Sequence, residues 1–238
     1  MALTAFWLSL PISAIQGLRL RKTALRLPEA GGCKTGFCGY GEPLHLLAIG
    51  DSIIAGVGTG NVTRSLPVLF AKELASQKQC SVNWRIDGTN GADIRHLRHR
   101  LEQQDQGQET DMVLISIGVN DVTGLSTTRH WESELKRLIQ DLRNKWPGAS
   151  AIFAGLPPMS EFPLPPQPLR FALGQRAAIL DAISAKLLAE QPNMLHIPTS
   201  INPGQQDFCE DGFHPSAEAC RFWAKGLVQR LCSDTFAI

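Results

Sequence analysis

Leu44-His45-Leu46-Leu47-Ala48-Ile49-Gly50-Asp51-Ser52-Ile53-Ile54-Ala55-Gly56-Val57-Gly58 is the stretch on which the reading of the fold turns. An aliphatic run that breaks into small and polar residues reads as a buried strand ending in a turn. Four more aliphatic runs follow, at 82–86, 112–117, 151–154 and 194–197. Between and after them the apolar residues take helical spacing, at 66–76, 94–103, 131–145, 169–190 and 217–231. This order predicts a parallel sheet with helices on both faces, because right-handed crossovers lay each helix back on the sheet. The expectation is a three-layer α/β/α sandwich around a five-stranded parallel sheet. Two stretches stand outside the repeat: a polar connector at 104–109, and 155–168, whose six prolines predict a stiff loop rather than a helix.

Composition narrows the function classes. The 238 residues suit one domain, and 23 basic against 22 acidic residues leave a formal charge of +1. Such a balance gives no footprint for nucleic acid and fits a small, nearly neutral partner. The six cysteines are too dilute for a disulfide scaffold and lack the paired spacing of a structural zinc site. Reduced thiols are expected, although Cys33 and Cys38 share a glycine-rich run in which a local disulfide is geometrically open. Residues 1–16 are apolar, are interrupted by Pro11 and precede the basic cluster Arg19, Arg21, Lys22 and Arg26. They are too short for a spanning helix and lack the basic start of a signal peptide. A helix packed on the domain is expected, with peripheral membrane contact through residues 1–26 as the alternative. A cytoplasmic location, with that membrane association as its variant, goes with this reading.

The candidate chemistry begins at the first strand end. A serine just past a buried strand, among small residues, can turn its hydroxyl into a cleft, although Ser52 could equally cap the next helix. A serine nucleophile needs a base. His45 and His196 fall inside expected strands, and His96, His99 and His130 lie on or beside polar helix faces, where packed or solvated histidines are the rule. His214 differs, because Asp211-Gly212-Phe213-His214-Pro215 opens the last helix, on the same sheet edge as Ser52. An Asp three residues ahead can reach the imidazole Nδ1–H and leave Nε2 free. Two more strand ends offer oxyanion donors: the Asn120 side chain in Gly118-Val119-Asn120-Asp121, and the backbone of Gly91, with Gly88 as a competitor.

Taken together, these blocks resemble the SGNH hydrolase superfamily of GDSL-type esterases and lipases. Gly50-Asp51-Ser52-Ile53 looks like the GDSL block with Ile53 in place of leucine, Gly91 like the glycine block, Gly118-Val119-Asn120-Asp121 like G-x-N-D and Asp211 to His214 like D-x-x-H. The resemblance covers 44–231 and implies a flavodoxin-like sandwich of strand order 2-1-3-4-5 over 44–238, with 1–43 as a lead-in packed on it. It implies a triad of Ser52, Asp211 and His214, and an oxyanion hole made by the amides of Ser52 and Gly91 with the Asn120 side chain. Asp51 and Asp121 look like loop-organising aspartates. In a doubly wound sheet of that order the first and third strands flank the ligand crevice, which agrees with the bottom-up placement of Ser52 and Asn120.

The reaction expected is two-step acyl transfer from a small-molecule carboxylic ester, with no metal or organic cofactor. Short-acyl esters come first, with lysophospholipase, thioesterase or sugar O-deacetylase activity as alternatives. A non-catalytic anion-binding module is the rival of another class, but it would not need His214. The proline-rich loop is expected to present Met159, Phe162 and Leu164 as an apolar substrate wall.

Overall fold

The computed structural model describes residues 2–104, 108–199 and 207–233, with residues 2–10 described by their backbone alone. The chain opens with helix α1 (Ala2–Thr23) and continues as β1 (Thr35–Gly39), β2 (Pro43–Gly50), α2 (Leu66–Lys78), β3 (Ser81–Gly88), α3 (Ile94–Gln103) and β4 (Met112–Ser116). A one-turn helix α4 (Val119–Thr123) precedes α5 (Thr128–Lys145), β5 (Ser150–Ala154), α6 (Leu169–Ala189), β6 (Met194–Ile197) and α7 (Ala217–Ser233). The connector expected at 104–109 lies in part outside the described residues.

The sheet is mixed and six-stranded, in the order β1-β3-β2-β4-β5-β6, which corrects the five-stranded, all-parallel expectation. Strands β2 to β6 run parallel, and β1 pairs antiparallel with β3 at the edge. The extra strand comes from the glycine-rich lead-in. A Cβ on Gly36 would fall 2.4 Å from the Trp84 ring, so the missing side chain is what lets this strand lie over the indole.

Strands β4 and β5 are buried throughout, as interior strands covered on both faces must be. Helix α2 packs on α7, while α3 packs on α5 and α5 on α6. The right-handed crossovers put these two groups on opposite faces of the sheet. Within one layer a side chain ties neighbouring helices: the Trp131 indole N–H of α5 reaches the Leu180 carbonyl and the Ser184 hydroxyl of α6, at 3.2 and 3.1 Å. The segment 155–168 is a loop with a single 3₁₀ turn at Met159–Glu161.

The register decides where the functional loops emerge. Gly50 pairs with Gly88 on one side and with Ser116 on the other, so three strands end level with one another. The loops holding Ser52, Gly91 and Asn120 therefore start side by side. Gly50 is required there, because a Cβ would stand 2.0 Å from the Ser116 carbonyl oxygen.

Candidate active site

Residues 51–58 form a chain of turns held by their own amides. Asp51 N–H donates to the Ser116 carbonyl (3.0 Å), Ile53 N–H to Asp51 Oδ1 (3.0 Å) and Val57 N–H to the Ser52 carbonyl (3.0 Å). Ser52 does not cap a helix, since α2 begins only at Leu66, after Ser65. Ser52 is buried beside a cleft that it helps to line.

The other half of the site comes from the end of the sheet nearest β6. Residues 207–216 fold back as a hairpin: Cys209 N–H donates to the His214 carbonyl (2.8 Å), Ser216 N–H to the Asp207 carbonyl (2.8 Å) and Gly212 N–H to the Cys209 carbonyl (2.9 Å). Within it, Asp211 Oδ1 accepts the amides of Phe213 and His214 at 3.0 Å each, and Oδ2 lies 2.6 Å from His214 Nδ1. His214 Nε2 lies 3.0 Å from Ser52 Oγ. Burial pushes the Asp211 carboxyl up, but the hydrogen bonds from the His214 ring and the two amides outweigh it and hold it below its ordinary value. An ionised carboxylate can only accept, so Nδ1 carries the hydrogen and the Nε2 lone pair faces the serine hydroxyl. A hydroxyl bonded to such an imidazole can be activated as a nucleophile.

The three strand-end loops are stitched together. Thr89 N–H donates to the Gly50 carbonyl (3.0 Å), and Asn120 Nδ2 donates to the Ala92 carbonyl (2.9 Å), which fixes the amide and leaves its second hydrogen free. Among the described residues neither the Ser52 nor the Gly91 backbone N–H has a hydrogen-bond partner. Unspent donors on adjoining loops are what an oxyanion site requires.

The two glycines have different work. A Cβ on Gly88 would stand 2.2 Å from the Ala55 nitrogen, so Gly88 lets the strand pack on the Ser52 loop. Gly91 is exposed, with φ +82° and open space around it, and is the glycine placed to offer its amide.

Two further aspartates are buried here. Desolvation lifts the Asp51 carboxyl to about 7, against the Ile53 amide, which pulls it down. Among the described residues its Oδ2 has no hydrogen-bond partner. Desolvation likewise lifts Asp121 to about 6, although its Oδ2 accepts the Ile94 amide and its Oδ1 the Ser126 hydroxyl. Asp121 thus ties the start of α3 to the Asn120 turn.

The cleft beyond Ser52 and His214 is walled by Phe162, Phe208, Phe213 and Trp223, with Ile53 and Pro157. Of the three expected wall residues only Phe162 stands there. Met159 is fully buried beneath its 3₁₀ turn, and Leu164, half-buried, holds the Gly212 carbonyl through its backbone; neither lines the cleft. Phe162 sits edge-on to Phe208 and Phe213, with centroids 5.1 Å away in each case. The Trp223 indole N–H is buried and has no hydrogen-bond partner among the described residues. Sequence reading missed Phe208 and Trp223. Phe213 stood within the Asp211–His214 block but carried no signal of its own.

Two of the other histidines have carboxylate partners of their own. His45 pairs with Asp111 and Glu109, and His196 with Asp181. All six cysteines are free thiols, Cys33 and Cys38 included.

Residues 48–222 match the GDSL-like Lipase/Acylhydrolase family. Among curated proteins none matches the chain. A lipase from a goat rumen metagenome has a similar structure, at 15% identity and TM-score 0.66 over 82% of this chain and 98% of its own. A family 3 carbohydrate esterase of Clostridium thermocellum follows at 19% identity and TM-score 0.63, over 80% and 99%. An acetylxylan esterase of Geobacillus stearothermophilus is similar at 21% identity and TM-score 0.57, over 81% and 95%.

Proposed function

Because the chain belongs to the GDSL-like lipase/acylhydrolase family and is a carboxylic ester hydrolase, we propose that it cleaves small, short-acyl esters through Ser52, His214 and Asp211. The observation that carries this reading is the 3.0 Å contact of His214 Nε2 with Ser52 Oγ, with Asp211 2.6 Å from the opposite ring nitrogen.

Ser52 Oγ attacks the ester carbonyl carbon while its proton passes to His214 Nε2. Negative charge gathers on the carbonyl oxygen, where the amides of Ser52 and Gly91 and the free hydrogen of the Asn120 amide receive it. Collapse breaks the bond to the alcohol oxygen, which leaves with the proton from His214. Water then attacks the acyl-serine, giving its proton to His214, and the acid departs as Ser52 recovers its hydrogen. Asp211 stays ionised throughout and steadies the imidazolium. Every proton moves between Ser52, His214, water and substrate, so the scheme calls on no metal or cofactor.

The aromatic wall supports alkyl or aryl groups over polyhydroxylated ones, since a sugar would leave its hydroxyls without partners against Phe162, Phe208 and Phe213. A panel of p-nitrophenyl esters of rising chain length, beside thioester, lysophospholipid and acetyl-sugar substrates, tests the assignment. Short esters should be hydrolysed with the highest kcat/KM; fastest turnover of an acetylated sugar or a lysophospholipid would replace it. Ser52→Ala should lower kcat by about 10⁶-fold and abolish fluorophosphonate labelling with the circular dichroism unchanged. Labelling that moves to another serine would overturn the nucleophile.

A further inference from the structure

We propose that the outward face of α1 docks on an anionic lipid surface, an interaction separate from the ester chemistry. Helix α1 packs against α6, and its less exposed positions Ser13, Gln16 and Leu20, three and four apart, form one stripe. Gln16 clamps this contact, donating to the Gln167 carbonyl (2.9 Å) and accepting the Leu169 amide (3.2 Å). The opposite stripe carries Ile12, Ile15 and Leu18, exposed at 52%, 68% and 61%. Aliphatic side chains of that size, set together on one helix face, mark a surface that something covers.

Charge identifies the partner. No charged side chain precedes Arg19 in the sequence, and no acidic one precedes Glu29. Arg19, Lys22 and Arg26 are all exposed, at the end of the helix or just after it. Arg21 is spent on the Thr123 carbonyl (3.0 Å). An apolar stripe that runs into a cationic end matches the boundary of a bilayer, with acyl chains under the aliphatics and anionic headgroups under the cations. A second copy of the chain fits less well, because α1 carries no acidic side chain to pair with the exposed cations of its mate. Among the described residues no helix is long and apolar enough to cross a membrane, so the contact is with the surface.

The clamp joins this face to the cleft. Gln167 and Leu169 end the proline-rich segment whose Pro157, Pro158 and Phe162 line the wall.

Vesicle flotation tests the proposal on the full chain. The protein should float with phosphatidylcholine vesicles containing phosphatidylserine, weakly with pure phosphatidylcholine, and less in high salt. Each exposed cation contributes about fivefold to such binding, so Arg19→Gln with Lys22→Gln should weaken it about 25-fold. Ile15→Asn with Leu18→Asn should abolish it, and both variants should hydrolyse a soluble ester at the wild-type rate, which shows that they are folded. Failure of the active wild type to float with anionic vesicles would overturn the proposal, as would equal binding by both variants. A dimer in sedimentation that Ile15→Asn dissolves, without vesicle binding, would assign the face to a second copy.

Discussion

Asp51, in the loop after β2, and Asp211, in the hairpin before α7, are both buried carboxylates, each next to a residue that lines the cleft, yet their surroundings drive them in opposite directions. Asp51 has one amide on one oxygen and, among the described residues, no partner on the other, and desolvation lifts it to about 7. Asp211 has two amides and an imidazole, and stays below its ordinary value despite its burial. Depth and donors act together: Asp51 is the more deeply buried and has fewer donors, and Asp211 keeps its charge because its donors outweigh a lesser burial. The loops around them differ in the same way. The Ser52 loop hangs from the sheet through the Ser116 carbonyl, whereas the His214 hairpin is held by its own backbone and by the rings of Phe162, Phe208 and Phe213.

The strongest test removes the charge where it is kept. Asp211→Asn preserves the shape of the hairpin but offers a donor to Nδ1, which favours the wrong imidazole tautomer, so kcat should fall about 10⁴-fold. A loss below tenfold would mean that the imidazole is oriented by the hairpin alone. Next in size is Asn120→Ala, on the sheet-anchored side, for which kcat should drop by roughly 10² to 10³ with KM little changed. A rise in KM at constant kcat would restrict Asn120 to binding the ground state.

Phe162→Ala probes the aromatic support of the hairpin. It should change the preference between long and short acyl or alcohol groups by about 1 to 3 kcal/mol in kcat/KM. It should also lower Tm, because the ring is buried against two others. An equal loss on every ester would show that the ring braces His214 without touching substrate.

The smallest effect on rate is expected at Asp51. The folded carboxyl sits above its ordinary value of 3.8, so the native state holds the proton more tightly than the unfolded chain. The stability this gives is complete below about pH 4 and is lost as pH rises through about 7. Asp211 works the other way, with stability that is lost as pH falls through its depressed folded value. Asp51→Asn should therefore flatten the fall of Tm between about pH 4 and pH 7, with kcat within about tenfold of wild type. An unchanged Tm profile would show that Asp51 is not the group responsible.

Much of this was legible because parallel strands buried on both faces advertise themselves as aliphatic runs, and because the residues at their ends share one edge. Ser52, Asn120 and His214 each follow such a run, which is why the chain alone could point to their meeting. Strand β1 had no such signature: Thr35–Gly39 contains two glycines, does not alternate, and owes its place to pairing with β3 and to the room Gly36 leaves for Trp84. The wall was legible only at Phe162. Phe208 and Trp223 reach it by the docking of the hairpin and α7, and Met159 is turned inward by a 3₁₀ turn that no apolar periodicity announces.

The level ending of β2, β3 and β4 also shapes how this enzyme could be retargeted. At Gly50 and Gly88 a single added carbon would collide with backbone 2.0 and 2.2 Å away, so mutational tolerance on that side of the cleft is close to nil. The opposite wall is made of side chains carried by the hairpin and the proline-rich loop, where bulk can be exchanged without moving a strand. A library randomised at Phe162, Phe208 and Phe213 would explore new acyl groups over an unaltered Ser52 loop. One randomised around Gly50 would return mainly unfolded protein. Evolvability in this molecule is thus lopsided, with the Ser52 loop fixed by backbone contacts on one bank and the rings around His214 open to exchange on the other.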